Sequence, residues 1–423
     1  MAQHDLLVRG AALRGQPGRH DIAITAGRIA GITPHATGAH IAAKVVEDAG
    51  GRLVMPGFVD SHVHLDKSCL MGCACGGVGG LKGAIAAVSA AKRGFTTDDV
   101  SARGARTLEK AILKGTTHMR THVEVDPRVG LRSFDAIMEL KRRYAFAIDL
   151  SVCVFPQEGL TNDPGTEALL TQALDAGADL LGGCPYTDTD PQAQIERLFA
   201  IAVERDLDLD IHLDFDLDPE GALLFDICRQ ATRHAWQRRV AIGHVTKLSS
   251  MDENAFSRAG AALADAGVAV TALPATDLYL NGRDRRFDVP RGVAPVHRLV
   301  AEHGVLASLA TNNVLNPFTP FGDGSLLRMA QLYANVTHVG PDEFELCLDL
   351  VTCLPAQLMR LEGYGLDVGS PADFVIIDAP DAISALAELA TVVSAYRNGR
   401  RSFRCDPPTL DIPPEGSAAL IQP

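Results

Sequence analysis

Short apolar runs and longer helical stretches alternate through the middle of this chain. Runs suited to strands fall at 53–59, 115–122, 147–155, 178–184, 207–213, 239–245, 268–273 and 305–311. Segments between them, such as Ser133 to Arg143 and Pro191 to Arg205, repeat their apolar residues at helical spacing. Eight strand–helix units over about 310 residues match a closed (β/α)8 barrel of the TIM type. An open doubly wound sheet is the alternative, but no strand runs into a G-x-G-x-x-G turn.

The two ends of the chain have a different texture. Asp5–Arg9, Asp21–Thr25, Arg28–Ile32 and Lys44–Glu47 read as short strands punctuated by Gly and Pro, which suits hairpins in a small sheet. Similar stretches return at Ala372–Asp378 and Thr391–Arg400, and a Pro-rich, loosely ordered tail follows from Pro407. Residues 1–56 with 366–423 are thus expected to form one composite unit, and 57–365 the barrel.

Composition narrows the partners. The 423 residues include 47% hydrophobic positions and carry a net charge of −13. An acidic chain lacks the basic field that nucleic acid or an anionic membrane surface requires. No apolar run reaches the ~18 residues of a membrane span. The N-terminus lacks the basic and apolar regions of a secretory signal, so the expected location is the cytoplasm. Cys69, Cys73 and Cys75 crowd one loop without a second cluster to complete four metal ligands, which reads as a reduced loop. Gly76-Gly77-Val78-Gly79-Gly80 lacks the Lys-Ser/Thr ending of a phosphate loop and reads as a flexible connection.

The chemistry concentrates at strand ends, where a barrel places its active site. The run Met55-Pro56-Gly57-Phe58-Val59-Asp60-Ser61-His62-Val63-His64-Leu65-Asp66-Lys67 ends in two histidines at i and i+2, on one face of a strand and within reach of one metal ion. Imidazole nitrogen suits Zn²⁺, Fe²⁺, Co²⁺ or Mn²⁺. Other strand ends carry His122 and Glu124, Gln157, His212 with Asp214 and Asp216, His244, and Asn312 with Asn313. His62, His64, His212 and His244 at three matching strand ends point to a site rather than to scattered buried histidines.

With these residues in place, the chain resembles the amidohydrolase superfamily, in particular its cytosine deaminase and N-isopropylammelide amidohydrolase branch. The likeness runs from the opening strands through Pro56–Lys67, Arg120–Asp126, Gly243-His244 and 316–324 to Gly369–Asp378. It implies a (β/α)8 barrel with a small β-sandwich built from both chain ends. It also implies His62, His64 and His212 as ligands of one divalent metal, zinc first, with Fe, Mn or Co as alternatives. His244 becomes the partner of the attacking water or of the oxyanion, and Gln157 a substrate contact.

Two positions depart from that pattern. Where relatives carry a strand-8 aspartate that binds the metal or takes a proton, this chain has Asn312, whose amide oxygen ligates weakly and is no base. Some relatives acting on carbamate-like and urea-like substrates also carry Asn there. Cytosine deaminases place a catalytic glutamate three residues after the third histidine, and Phe215 stands there instead. Asp214, at i+2 from His212, is then the proton shuttle if the strand continues, and Asp216 is the weaker choice. The fourth strand ends Gly183-Cys184-Pro185-Tyr186 without the lysine that bridges two metals in other branches, which predicts a mononuclear site.

Lys67 is expected to orient Asp66 or to meet an anionic group of the substrate, and Asp66 to orient a ligating histidine. Asp277, Tyr279 and Arg283 lie where barrel loops meet substrate. The expected activity is C–N bond hydrolysis in a small nitrogen heterocycle such as a pyrimidine or triazine, releasing ammonia or an amine, by a homo-oligomeric enzyme. Ring opening of a cyclic amide or urea-type substrate is the alternative. A silent binding protein on the same scaffold is the reading that Asn312 and Phe215 would suggest.

Overall fold

Strand alternation explains how one chain builds two sheets that share a core. The computed structural model describes residues 3–36, 41–72, 80–406 and 408–410. Cys73, Cys75, most of the glycine run after them and most of the Pro-rich tail lie outside these. Leu53–Pro56 joins a mixed eight-stranded sheet made from both chain ends. Its other members are His4–Leu13, Gln16–Thr25, Arg28–Pro34, Ala43–Asp48, Phe374–Ile377, Val392–Arg397 and Arg400–Arg404. Successive strand residues point to opposite faces. Val54, Phe374 and Ile376 therefore pack into a core internal to the terminal sheet, with Val8 and Ile22. Leu53, Met55, Val375 and Ile377 enter the main core with the barrel.

The barrel strands are Phe58–Val63, Thr116–Glu124, Asp149–Phe155, Leu180–Gly183, Leu209–Leu213, Val240–His244, Val268–Ala272 and Ala307–Leu309, all parallel and in chain order, with helices between them. Closure comes just past the last strand. Val63 bridges Asn312 in parallel, His64 N donates to Asn312 O at 2.8 Å, and Asn312 N donates to His62 O at 2.9 Å. Helices occupy Arg132–Arg143 and Pro191–Arg205, and Asp190 caps the second by accepting from Ala193 N at 3.0 Å.

Two expected elements divide. The apolar run 53–59 is not one strand: it breaks at Gly57, where a Cβ would collide with the Thr117 side chain, and the barrel begins at Phe58. The stretch Thr391–Arg400 is a hairpin turning at Asn398 (φ 47°) and Gly399 (φ 70°), the left-handed pair that a tight hairpin requires.

Candidate active site

Three histidine rings converge at the C-terminal mouth of the barrel. His62 lies near the end of the first strand, His64 just beyond it, and His212 near the end of the fifth. The Nε2 atoms of His62 and His64 each stand 3.1 Å from His212 Nε2. All three rings are buried, and their Nδ1 atoms have no hydrogen-bond partner. Burial drives the pKa of His62 down to about 3, with His122 adding to it, and pulls His64 and His212 well below the ordinary histidine value. Neutral imidazoles cannot satisfy this arrangement among themselves, because one Nε2–H on His212 serves one neighbour only. A cation at the centre resolves it. Nitrogens about 2.0–2.1 Å from a tetrahedral ion lie about 3.3–3.4 Å apart, close to the separation found.

Beneath this triad lies a polar layer that sequence reading misses. Asp210, two residues before His212 on the same strand face, is buried and takes Arg120 Nη1 on Oδ2 at 2.7 Å. Its Oδ1 stands 3.3 Å from His122 Nε2 and 3.6 Å from His62 Nδ1. Burial works against its charge, yet His122, His62 and Arg120 hold its pKa well below the usual carboxylate range. His122 stacks on His62 with ring centroids 3.7 Å apart. An anion under a ligating histidine orients the ring and strengthens it as a donor. The sequence signal was available: His118, Arg120, His122 and Glu124 alternate along Thr116–Glu124, every residue of which is buried.

At the rim, His244 Nδ1 meets Asp277 Oδ1 at 2.6 Å, and Asp277 Oδ2 accepts from Leu273 N at 3.0 Å. Asp277 is fully buried behind His244, so it holds that ring rather than touching substrate, contrary to its expected role. Lys67 donates to Glu124 Oε1 at 2.7 Å and to Gln157 Oε1 at 3.0 Å. Lys92, buried at the end of helix Gly80–Lys92, takes the other Glu124 oxygen at 2.9 Å and also pairs with Asp126 and Glu158. Against the pull of burial, the two lysines hold Glu124 down to about 2. Asp66 accepts from Glu124 N at 3.0 Å and bonds no histidine, so its expected orienting role is not met. Lys67 accordingly meets Glu124 and Gln157 rather than orienting Asp66.

Asp214 is the main correction. The fifth strand stops at Leu213, and Asp214 turns into the left-handed region at φ 51°, so the i+2 rule no longer applies to it. Its carboxylate accepts from Leu223 N at 2.9 Å and Leu224 N at 3.1 Å, capping the start of helix Leu224–Arg233. Burial pushes its pKa up to about 6. Both oxygens are thus committed to a helix start and not to the histidine cluster. Asp216 is held farther out by Lys247 at 2.7 Å. Asn312 is buried at φ 56° with neither Oδ1 nor Nδ2 partnered, while its backbone closes the barrel.

His64, Lys67, Gln157, Tyr186, His212, His244 and Asn313 line a cavity of about 10 Å³, the space of roughly one water. Leu81, Phe215, Leu280 and Phe318 complete its wall, and the Phe215 ring stands edge-on to His244 with centroids 4.5 Å apart. Leu81, Phe215 and Leu280 also line a second, wider cavity of about 1300 Å³.

A barrel with neutral histidines gathered at its C-terminal mouth defines the class of metal-assisted barrel hydrolases. The sequence profile of the Amidohydrolase family matches residues 45–142 and 134–403, and the chain belongs to that family. The family is metal-dependent, and the chain is a hydrolytic enzyme acting on C–N bonds. It is 31% identical over 366 residues to a pterin deaminase of Rhizobium rhizogenes, covering 85% of this chain and 82% of that one. It is 27% identical to the N-isopropylammelide isopropyl amidohydrolase of Pseudomonas sp. (strain ADP), over 94% of this chain and 96% of the relative. The crystal structure of 5-methylcytosine deaminase from Klebsiella pneumoniae, liganded with 5-fluorocytosine, superposes with a TM-score of 0.91 at 28% identity. That match covers 96% of this chain and 99% of the other. Among the described residues no helix is long and apolar enough to cross a membrane.

Proposed function

We propose that this enzyme hydrolyses an exocyclic C–N bond of a small nitrogen heterocycle, releasing ammonia or an amine. One divalent ion, zinc by preference, is held by His62, His64 and His212, with the Asn312 carboxamide as a weaker neighbour. The observation that carries this reading is the convergence of three buried, neutral rings, with the Nε2 atoms of His62 and His64 each 3.1 Å from His212 Nε2 and all three Nδ1 atoms unpartnered. An all-nitrogen donor set without thiolates suits zinc. When bound, the ion activates water and polarises the carbon under attack. The relatives named above, acting on pterin, N-isopropylammelide and cytosine rings, support the substrate class.

His244 moves the proton, oriented by Asp277 at 2.6 Å, because Asp214 is engaged elsewhere. Lys67 and Gln157, already bonded to each other, present a donor and an amide to the polar edge of the ring. Phe215, Leu81 and Leu280, which line both the one-water cavity and the wider one beside it, mark the side from which the ring approaches. Residues 1–56 with 366–423 act as the supporting unit and 57–365 as the catalytic barrel. A homo-oligomer in the cytoplasm completes the reading, and the free cysteines Cys69, Cys153, Cys184, Cys228, Cys347, Cys353 and Cys405 fit a reducing compartment.

The test pairs elemental analysis with a screen of aminated pyrimidines, triazines and pterins. About one zinc per chain, lost in His212→Ala, with ammonia or amine release and an intact ring chromophore, is the expected result. Loss of ring absorbance without amine release would move the activity to ring opening. Full metal in His212→Ala would overturn the ligand set.

A further inference from the structure

The opposite end of the barrel holds a cavity that the catalytic reading does not use. About 590 Å³ in volume, it opens where the fifth, sixth and seventh strands begin, at Leu209, Val240 and Val268. Arg120 reaches it from the barrel interior. Its side chain is buried, with the residue 4% exposed, one bond runs from Nη1 to Asp210, and its Nε has no partner. A guanidinium carries five donors, and an unpaired buried one is costly. Arg238, Arg239 and Arg360 share the lining. Asp208 accepts from Arg239 at 2.7 Å and Arg360 at 2.9 Å, and Asp206 also pairs with Arg239.

Four arginines line the cavity; of the aspartates paired with them only Asp208 shares its wall, Asp206 being turned to solvent and Asp210 lying behind Arg120, so positive charge is in excess there for a small anion. The remaining wall is apolar, with Leu263 and Leu358 buried against it. We propose that this cavity binds a small organic monocarboxylate, its head group on the arginines and its apolar body against Leu263 and Leu358. A planar guanidinium matches a carboxylate with two parallel bonds. Such a ligand supplies the acceptor that Arg120 lacks and stays separate from the histidine mouth, with Asp210 between the two sites.

Calorimetric titration of the metal-loaded, full-length enzyme with benzoate tests this, with inorganic phosphate as the probe lacking an apolar body. Saturable benzoate binding is expected, with phosphate at least about tenfold weaker. Arg238→Gln with Arg360→Gln should weaken benzoate by about tenfold or more, the value of a charge-assisted bond. Ala264→Trp, an exposed helix position on the cavity wall, should abolish binding by filling the space. Phosphate binding equal to benzoate, no saturable heat, or benzoate binding that survives both variants would each overturn the proposal. Survival would place benzoate at the histidine mouth instead.

Discussion

His244 and Asp214 stand at the ends of two neighbouring strands, yet their hydrogen bonds give them different work. His244 faces the small cavity with Asp277 behind it, whereas Asp214 spends both oxygens on a helix start. His244→Asn should lower kcat by about 10²–10⁴ with metal content unchanged, the usual contribution of a proton-transferring group. Asp214→Asn should keep turnover within a few-fold and lower stability by about 1 kcal/mol, the typical value of a helix cap. A hundredfold loss of kcat in folded, metal-loaded Asp214→Asn would return the proton to that carboxylate. Asn312 permits a second test. Its amide has no partner and lies in the segment whose backbone bonds to His62 and His64, so Asn312→Asp adds a charge beside neutral imidazoles. Slower metal loss to a chelator is the expected outcome, and an identical chelator titration would remove Asn312 from the metal's surroundings.

The strand Thr116–Glu124 shows what an element contributes beyond its last residue. Its even-numbered positions run from His118 through Arg120 and His122 to Glu124, stacking polar groups through a barrel whose other positions are largely apolar. Glu124 ends that column between Lys67 and Lys92. Because its folded pKa lies below the free value of 4.5, its ionised form stabilises the fold above that pH, and the gain fades as pH falls toward about 2. Glu124→Gln removes the carboxylate that two buried lysines share, leaving Lys92 to Asp126 and Glu158 and Lys67 to Gln157, and should cost about 3 kcal/mol at neutral pH, a gap that narrows below pH about 4.5 in urea unfolding. A gap independent of pH would show that Glu124 acts through packing instead.

Legibility followed the same boundary. Helix Pro191–Arg205 and the His62–His64 pair are plain in the sequence because period and spacing are local properties. The break at Gly57 is only half legible: Pro56-Gly57 interrupts the apolar run Leu53–Val59, but the need for glycine there comes from Thr117 on another strand, which a Cβ would strike. Asp210 escapes notice because its partners His62, His122 and Arg120 come from two other strands. Asp214 misleads because a strand's alternation holds only as far as the strand, and φ 51° ends it.

At the scale of the whole molecule, the barrel is sealed where its first and last strands meet. His62 and His64 lend their backbones to that seal, one accepting from Asn312 and the other donating to it, while their rings face the centre of the site. Under the proposed ligand set the same two residues would clasp the ion and fasten the barrel's edge, with His212 tethering the far wall to them. An ion gripped this way would be a rivet through the seam, released when the edge breathes open. Stripping the metal should lower the melting temperature, because a ligand held by the folded state alone stabilises by mass action, about 4 kcal/mol at a thousandfold excess over Kd. It should also speed amide exchange at His64 and Asn312 ahead of the barrel's far side. Uniform acceleration around the barrel would mean that the seam and the ion are independent. If they are coupled, the enzyme's hold on its metal is set less by the three rings than by how rarely the two strand ends part.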